Sequence, residues 1–354
     1  MNIHTKYKKS KVGIILSSLC LLLACKIEPA PFTSKQSTST LPPLGDSLLK
    51  QEASIVPDSM PLDTALYNQK ILQLVHHKPS DKWPVKTGFP LSGAILPFNR
   101  IVAFYGNLYS KRMGILGSIP ADQMLKKLQE EVKNWQKSDS LTPVKPALHY
   151  IAVTAQRSPG ANRKYRLRMP FHQIDKIIEI AKEIDALVFL DIQVGHSTLQ
   201  EEIPALKKYL LMPNVHLGID PEYSMKSGKV PSRVVGTCDA TDINFASDYL
   251  AQLVRENNLV PKILVVHRFT KGMVTNYKKI KTLPEVQIVM HMDGFGFPAK
   301  KINSYKLSIV EEPVQFTGFK LFYKNDVENK KWPVLMQPDD ILKLYPQPVY
   351  IQYQ

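Results

Sequence analysis

The chain has 354 residues, of which 44% are hydrophobic, and its formal net charge is +15. This length and apolar fraction predict one large folded domain and exclude a small scaffold held together by disulfides. The positive charge suits contact with anionic surfaces such as lipid head groups or cell-wall polymers. The sequence contains no module that combines basic and aromatic residues for nucleic-acid binding, so we expect no nucleic-acid partner.

The amino terminus has the organisation of a secretory signal peptide. Four lysines, Lys6, Lys8, Lys9 and Lys11, precede an apolar run over residues 12–24. A basic segment followed by about a dozen apolar residues is typical of a signal peptide and is too short for a permanent membrane span. Removal of these four lysines lowers the formal charge of the mature chain from +15 to +11.

The apolar run ends Leu22-Leu23-Ala24-Cys25, which resembles the lipobox of bacterial lipoproteins. The resemblance implies that the Cys25 thiol is acylated and that cleavage leaves Cys25 as the first residue. We therefore expect a signal peptide over 1–24 and a lipid anchor on Cys25 that holds the protein in the cell envelope, outside the cytoplasm. The alternatives are an ordinary signal peptide with an incidental cysteine, or a short anchor helix.

Residues 25–60 are rich in serine, threonine and proline and show neither a helical nor a strand period. Such a composition buries too little apolar surface to offset the entropy of ordering, so we expect a flexible tether. A folded domain is expected over 61–354. Cys20 leaves with the signal peptide and Cys25 carries lipid, so Cys238 has no intramolecular partner and the core alone must stabilise the domain.

Eight apolar runs follow in the domain, most of them rich in Val, Ile, Leu, Phe and Tyr. Such runs predict strands that are buried on both faces of a parallel sheet. They cover residues 101–107, 148–156, 187–194, 215–222, 263–269, 286–293, 316–323 and 349–353.

Helix signals lie between the apolar runs, so the sequence predicts an α/β fold of the (β/α)8 TIM-barrel type. An open doubly wound sheet is the alternative, but no glycine-rich phosphate loop follows the first run. Because the sequence ends on the eighth run, we expect the final helix to be missing. The helical pattern over 64–76 either fills that place or closes the barrel bottom. The predicted helix starts are Pro120, Pro170, Ser197 or Thr198, and Asp239 or Thr241.

Polar residues cluster where the apolar runs end, and in such barrels the carboxyl ends of the strands form the active site. Strand alternation predicts that Asp191 and Gln193 share a face, as do Asp220 and Glu222, and His291 and Asp293. The candidate substrate-binding residues are Tyr105, Asn107, Gln156, Asp191, Gln193, His267, His291, Lys320, Tyr323, Gln352 and Tyr353.

The sequence Asp220-Pro221-Glu222 predicts acid catalysis, because two nearby carboxylates repel and one of them keeps its proton. At this position the chain resembles glycan-hydrolysing barrels of the chitinase-like and D-x-E muramidase types, which carry a D-x-E motif after strand four. The resemblance implies that Glu222 is the general acid and Asp220 orients the N-acetyl group of the substrate. Their strand six commonly ends M-x-Y-D, which Met290-His291-Met292-Asp293 partly matches, so Asp293 joins the predicted catalytic residues.

The resemblance to these hydrolases has limits. Two further acids upstream in the chitinase pattern are replaced by Val215 and Gly218, and the tryptophan of strand eight corresponds to Tyr350 or Tyr353. The stretch 214–354 also resembles an uncharacterised group of exported bacterial barrels, which supports the fold. The principal interpretation is a glycan-acting enzyme, and it needs no cofactor or metal.

Two other functions stay open at this point. A metal-dependent hydrolase would use Glu222, His267, His291 and Asp293 as ligands for Zn²⁺ or Mn²⁺, although strand one lacks the H-x-H pair of amidohydrolase barrels. A non-catalytic barrel would bind a glycan or cell-wall polymer by stacking aromatic rings on sugar faces. The candidate rings are Tyr105, Tyr223, Phe295, Phe297, Tyr323 and Tyr353.

Overall fold

Eight parallel strands close into a barrel, which confirms the (β/α)8 prediction. The computed structural model describes residues 61–328 and 333–354. Each strand pairs in parallel with the next along the chain, and β8 pairs with β1, where Tyr350 lies opposite Ile101. The strands are β1 (Arg100–Gly106), β2 (Val144–Ala155), β3 (Leu187–Ile192), β4 (Val215–Ile219), β5 (Lys262–Arg268), β6 (Val286–Met292), β7 (Phe316–Leu321) and β8 (Tyr350–Tyr353).

The strands are apolar on both faces because helices cover the outside and side chains fill the inside. All seven residues of β1 and of β5 are buried. This burial explains why the strands read as continuous apolar runs and why all eight were predicted. The largest differences are at β2, which begins four residues earlier than predicted, and β4, which ends three residues earlier.

Helices connect the strands, as the alternating pattern predicts. No helix follows β8 within the described residues, and short turns replace full helices in several connections. The helices of five or more residues are α1 (Thr64–Leu74), α2 (Ala121–Ser138), α3 (Phe171–Lys182), α4 (Ala240–Asn257), α5 (Pro298–Tyr305) and α6 (Pro338–Leu342). Single turns of helix cover Ile115–Ser118, Leu199–Glu202 and Lys207–Leu210, and a π-helical turn covers Lys306–Val310.

The predicted helix starts match the structure. Pro120 and Pro170 occupy the N-cap positions of α2 and α3. Asp239 caps α4 through a capping box, in which its side chain accepts a backbone N–H and the Asp242 side chain accepts the Asp239 N–H at 2.6 Å. The adjacent Cys238 is a free cysteine and is buried.

The amino end of the barrel is closed by apolar side chains. Ile95 and Leu96 enter the lumen from below, and the Gln287 side chain accepts their backbone N–H groups at 3.1 and 3.0 Å. Ile71 and Leu74 of α1 pack against the same cluster. Helix α1 therefore closes the bottom of the barrel, which is one of the two placements that the sequence predicts.

The predicted signal peptide over 1–24, the tether over 25–60 and the lipidated Cys25 lie outside the described residues. All described residues fall within one compact unit, Ser54–Gln354. Within the part of the chain that the structure describes, no helix combines the length and apolar character needed to cross a bilayer.

Candidate active site

The barrel lumen has an apolar lower part and a polar upper part. Tyr105 on β1 reaches Asp191 on β3, and His267 on β5 reaches the same carboxylate. Contacts between strands that are not neighbours show that these side chains point into the lumen. We call the upper set the polar layer. Its members are Tyr105, His149, Asp191, Gln193, Asp220, His267, His291, Asp293, Lys320, Tyr350 and Gln352.

Three side chains converge at the centre of the polar layer. Asp191 Oδ1 lies 3.3 Å from His149 Nε2 and 3.5 Å from His267 Nε2. These three atoms all lie within 4.8 Å of one another, and their side chains are fully buried. Their directions do not meet hydrogen-bond geometry, and no other described residue offers them a hydrogen bond. We call His149, Asp191 and His267 the central triplet.

The opposite atom of each triplet side chain is held by a hydrogen bond. The Tyr105 hydroxyl donates to Asp191 Oδ2 at 3.1 Å. His149 Nδ1 shares a hydrogen bond of 2.6 Å with the Tyr350 hydroxyl, which also accepts from the side-chain amide of Gln352. These hydrogen bonds fix the orientation of the imidazole rings and of the carboxylate. They therefore hold Asp191 Oδ1 and the two Nε2 atoms facing one another.

His267 is held by a charged relay on its other side. His267 Nδ1 lies 2.7 Å from Asp293 Oδ2, and Asp293 Oδ1 lies 2.9 Å from Lys320 Nζ. The same ammonium group lies 3.8 Å from the centre of the Tyr105 ring. This relay connects the central triplet to the mouth of the barrel.

Two glycines make room for the polar layer. A Cβ at Gly218 would lie 2.5 Å from both Asp191 Oδ1 and His149 Nε2, and a Cβ at Gly318 would lie 2.5 Å from His291 Nδ1. Any larger residue at these positions would push the buried side chains apart. The small residues on β4 and β7 are therefore part of the site.

Burial and charge set the ionisation of the central triplet. Burial opposes the ionisation of Asp191, but the charge of His267 and the contact with His149 hold the pKa of Asp191 well below its usual range. Burial also opposes the protonation of His267, but the charges of Asp191 and Asp293 raise the pKa of His267 to about 10. Burial lowers the pKa of His149 to about 4. Without a bound ligand, an imidazolium at His267 thus balances the buried carboxylates.

Asp220 and Glu222 do not alternate along a strand as predicted. Strand β4 ends at Ile219, and Pro221–Tyr223 forms a 3₁₀ turn in which Asp220 Oδ1 accepts the Glu222 N–H at 3.1 Å. The prediction of a shared strand face is wrong because Pro221 begins a turn, where the two-residue alternation no longer holds. Asp220 Oδ2 accepts from Gln193 at 3.3 Å, so the predicted contact of Asp220 with an N-acetyl group has no support in this geometry.

Glu222 lies at the mouth and is partly exposed, as is Asp293, whereas the other members of the polar layer are buried. Burial and the negative charge of Asp293 raise the pKa of Glu222 to about 7, although Lys320 and His267 oppose this effect. Burial likewise raises the pKa of Asp220 well above its usual value. Near neutral pH the Glu222 carboxyl can therefore give or take a proton.

The structure brings most of the sequence-predicted residues together in or above the polar layer. These are Tyr105, Asp191, Gln193, Asp220, Glu222, His267, His291, Asp293, Lys320 and Gln352. His291 is fully buried with its ring centre 5.2 Å from that of His267, and no hydrogen bond from the described residues reaches either of its ring nitrogens.

Four predicted residues have other roles. Tyr323 and Tyr353 lie on the outer face of the barrel, where Tyr353 accepts from Trp135 of α2 and Tyr323 donates to a glutamate of the same helix. Tyr353 points outward because Tyr350 and Gln352 of β8 face the lumen, and alternation turns Tyr353 away. The side chains of Asn107 and Gln156 hydrogen-bond within their own loops or to adjacent backbone. We therefore no longer assign these four residues to the site.

Sequence patterns did not place His149, Tyr350 or the two glycines in the polar layer, although Gly218 and Tyr350 were compared with positions of the chitinase pattern. His149 lies in the middle of β2, six residues before the strand ends at Ala155, and only the strand ends were searched for polar groups. A signal was available, since alternation places His149 on the same face as Ala147 and Ile151, inside the closed barrel. The predicted metal ligands also differ, because His267 alone of the four belongs to the central triplet.

A groove lies beside the mouth, between the loops that follow β3 and β4. Its volume is about 350 Å³. Polar side chains contribute much of its lining, among them His196, Ser197, Thr198, Gln200, Lys226 and Asp242. The groove is at the same end of the barrel as Glu222.

Comparisons with known proteins found similarity to solved structures, and no match to a family model or to a curated protein. Dihydropteroate synthase of Burkholderia cenocepacia, solved with 7,8-dihydropteroate, is similar over 75% of this chain and 92% of its own, at 9% identity and a TM-score of 0.33. The HPPK-DHPS protein of Plasmodium falciparum, solved with pteroate, is similar over 82% of this chain and 52% of its own, at 9% identity and the same TM-score. Likeness at this level carries no argument about activity.

Proposed function

We propose that this chain is an envelope-anchored hydrolase that cleaves an N-acetylated glycan or peptidoglycan at the mouth of the barrel. The observation that carries the proposal is the position of Glu222, a partly exposed carboxyl at the carboxyl end of β4, where barrel enzymes do their chemistry. Below it, the members of the polar layer are buried, except for Asp293, whose side chain is 9% exposed. Glu222 is thus the acid that a substrate entering the mouth meets first.

Glu222 is the proton donor to the leaving oxygen in this proposal. Cleavage of a glycosidic bond needs an acid that is still protonated near neutral pH, and a pKa of about 7 provides one. Asp293 and Lys320 form an ion pair at the base of the mouth, and the Asp293 carboxylate interacts electrostatically with Glu222. Negative charge at Asp293 would stabilise the positive charge that develops on the sugar ring.

The groove beside the mouth is the proposed binding site for neighbouring sugar units. Its hydroxyl, amide and charged groups can hydrogen-bond to sugar hydroxyls, and its loops follow β3, which carries Asp191, and β4, which ends shortly before Glu222. Anchoring through Cys25 would hold the enzyme next to its cell-wall substrate, and the formal charge of +11 on the mature chain would favour contact with anionic polymers.

The test is the release of new reducing ends from peptidoglycan and N-acetylated oligosaccharides by the full chain in detergent. Glu222→Gln keeps the shape of the side chain and removes the proton, so kcat should fall by about 10²–10⁴-fold while folding and glycan binding remain. Glu285→Gln is the matched control, because Glu285 is a buried acid at the amino end of β6, away from the mouth.

Wild-type rates in Glu222→Gln would remove Glu222 from the reaction. A wild-type protein that cleaves none of these glycans would overturn the proposed activity itself.

A further inference from the structure

We infer that the central triplet, His149, Asp191 and His267, is a binding site for a divalent transition metal, with Zn²⁺ as the favoured ion. The inference goes beyond the proposed glycan hydrolysis and does not depend on it. It stands on the placement of three buried ligand atoms, on the contacts that orient them, and on the space between them.

The spacing of the three atoms fits a small tetrahedral ion. Zn²⁺ binds nitrogen and carboxylate oxygen at about 2.0–2.2 Å, so two ligands of one tetrahedron lie about 3.3–3.6 Å apart. Asp191 Oδ1 lies 3.3 Å from His149 Nε2 and 3.5 Å from His267 Nε2. The two imidazole nitrogens lie within 4.8 Å of each other, so an ion can reach all three after a small closure.

Each ligand is held from behind in the way that metal sites hold theirs. A ligating histidine normally donates its other ring N–H to a carboxylate or similar acceptor, which fixes the ring and its tautomer. His267 makes this contact with Asp293 at 2.7 Å, and His149 contacts the Tyr350 hydroxyl at 2.6 Å. The Tyr105 hydroxyl holds Asp191 Oδ2 at 3.1 Å and leaves Oδ1 facing the histidines.

The three converging atoms have no hydrogen-bond partner among residues 61–328 and 333–354. Asp191 Oδ1 contacts the two ring nitrogens at 3.3 and 3.5 Å without hydrogen-bond geometry, and a metal ion would bind all three atoms together. Gly218 keeps the centre open, because a Cβ there would come within 2.5 Å of two of the three ligand atoms. A purely structural ion pair between Asp191 and His267 needs neither His149 nor this open centre.

Two nitrogens and one carboxylate oxygen are typical zinc ligands, and three protein ligands leave a fourth position for water or substrate. Sites of this kind are catalytic more often than structural, since structural zinc sites usually supply four protein ligands. A metal ion held by these three residues would lower the pKa of a bound water and so supply a nucleophile near neutral pH.

The test is Zn²⁺ binding by the full chain in detergent, after removal of metal with a chelator. Isothermal titration calorimetry and elemental analysis should give one tightly bound Zn²⁺ per chain. His267→Gln and Asp191→Asn should weaken binding by at least about 100-fold, and Asp293→Asn, which acts through His267, by about 10–100-fold. His216→Gln is the matched control, because His216 is also a fully buried lumen histidine but lies outside the central triplet.

No binding by the wild type, or equal binding by wild type, His267→Gln and His216→Gln, would overturn the inference. Zinc X-ray absorption of the loaded wild type tests it without any variant, since two imidazole ligands and a first shell near 2.0–2.1 Å are expected. A spectrum without imidazole scattering would overturn it as well. Both readouts need no substrate, so they fail or succeed separately from the glycan assay.

Discussion

Gly218 leaves the space that the buried side chains of the polar layer occupy. The position admits no Cβ, because one would lie 2.5 Å from Asp191 Oδ1 and from His149 Nε2. Both of these atoms are buried and cannot move into solvent. The polar layer therefore depends on the absence of a side chain as much as on the side chains present.

We expect Gly218→Ala to lower the free energy of unfolding by about 1–3 kcal/mol, because the added methyl overpacks the lumen. The same change should weaken Zn²⁺ binding by displacing two ligands. Urea denaturation measures the first effect. Gly88→Ala is the control, since a Cβ there meets no atom within 4 Å. Equal stability of Gly218→Ala and Gly88→Ala would contradict the packing described for the lumen.

We expect the ionisation of Glu222 to determine the pH dependence of glycan cleavage. A general acid works in its protonated form, so kcat/KM should fall as the pH rises through about 7, the pKa of Glu222. Activity is lost with rising pH because only the protonated carboxyl can donate. The loss occurs near neutral pH because burial and the charge of Asp293 raise the pKa of Glu222. A rate that stays constant across neutral pH would assign proton transfer to another group.

The sequence predicted those site residues that stand at strand ends and missed those inside strands. Asp191, His267 and His291 were found because they are polar residues at the end of apolar runs. His149 was missed because its run continues for six residues to Ala155. Tyr350 was considered only as an aromatic platform, and its hydrogen bond to His149 joins residues 201 positions apart, which no local pattern reveals.

At the scale of elements, alternation was reliable within strands and failed at their ends. Residues 101–105 of β1 alternate between lumen and helix layer as a period of two requires. The same rule failed after Ile219, because Pro221 turns the chain into a 3₁₀ turn and Asp220 becomes its cap. Within β8 the rule held: Tyr350 and Gln352 face inward, so Tyr353, which was predicted to bind substrate, faces outward.

Helix α4 depends on its capping box. Asp239 accepts the backbone N–H of Thr241 at 3.1 Å and the Thr275 hydroxyl at 2.7 Å, so it joins the start of α4 to the chain that follows β5. Asp239→Ala should therefore lower the free energy of unfolding by about 0.5–2 kcal/mol in urea denaturation. Asp248→Ala, at an exposed position within α4, should change it by less than about 0.5 kcal/mol. Equal losses would show that charge on α4 matters and the cap does not.

At the scale of the whole molecule, the two ends of the barrel have different tasks. The amino end is closed by α1, Ile95 and Leu96 and contributes stability. The carboxyl end carries the polar layer, Glu222 and the groove. This division could be predicted once the strands were counted, because parallel strands in a closed barrel all present their carboxyl ends on one side.

We predict that the full chain is attached to the cell envelope through a lipid on Cys25. If Cys25 carries the lipid, Cys25→Ser should leave unprocessed precursor and abolish acyl labelling in cells. The variant keeps the apolar run over 12–24, so export signals other than the thiol are unchanged. Acyl labelling that persists in Cys25→Ser would show that the lipid is elsewhere.

The most direct measurement of the proposed activity is mass spectrometry of glycan products made by the full chain in heavy-oxygen water. Hydrolysis with Glu222 as proton donor predicts soluble fragments that each carry one solvent oxygen at the new reducing end, and none of these fragments from Glu222→Gln. Intact glycan after incubation with the wild type, or labelled fragments formed equally well by Glu222→Gln, would contradict the account.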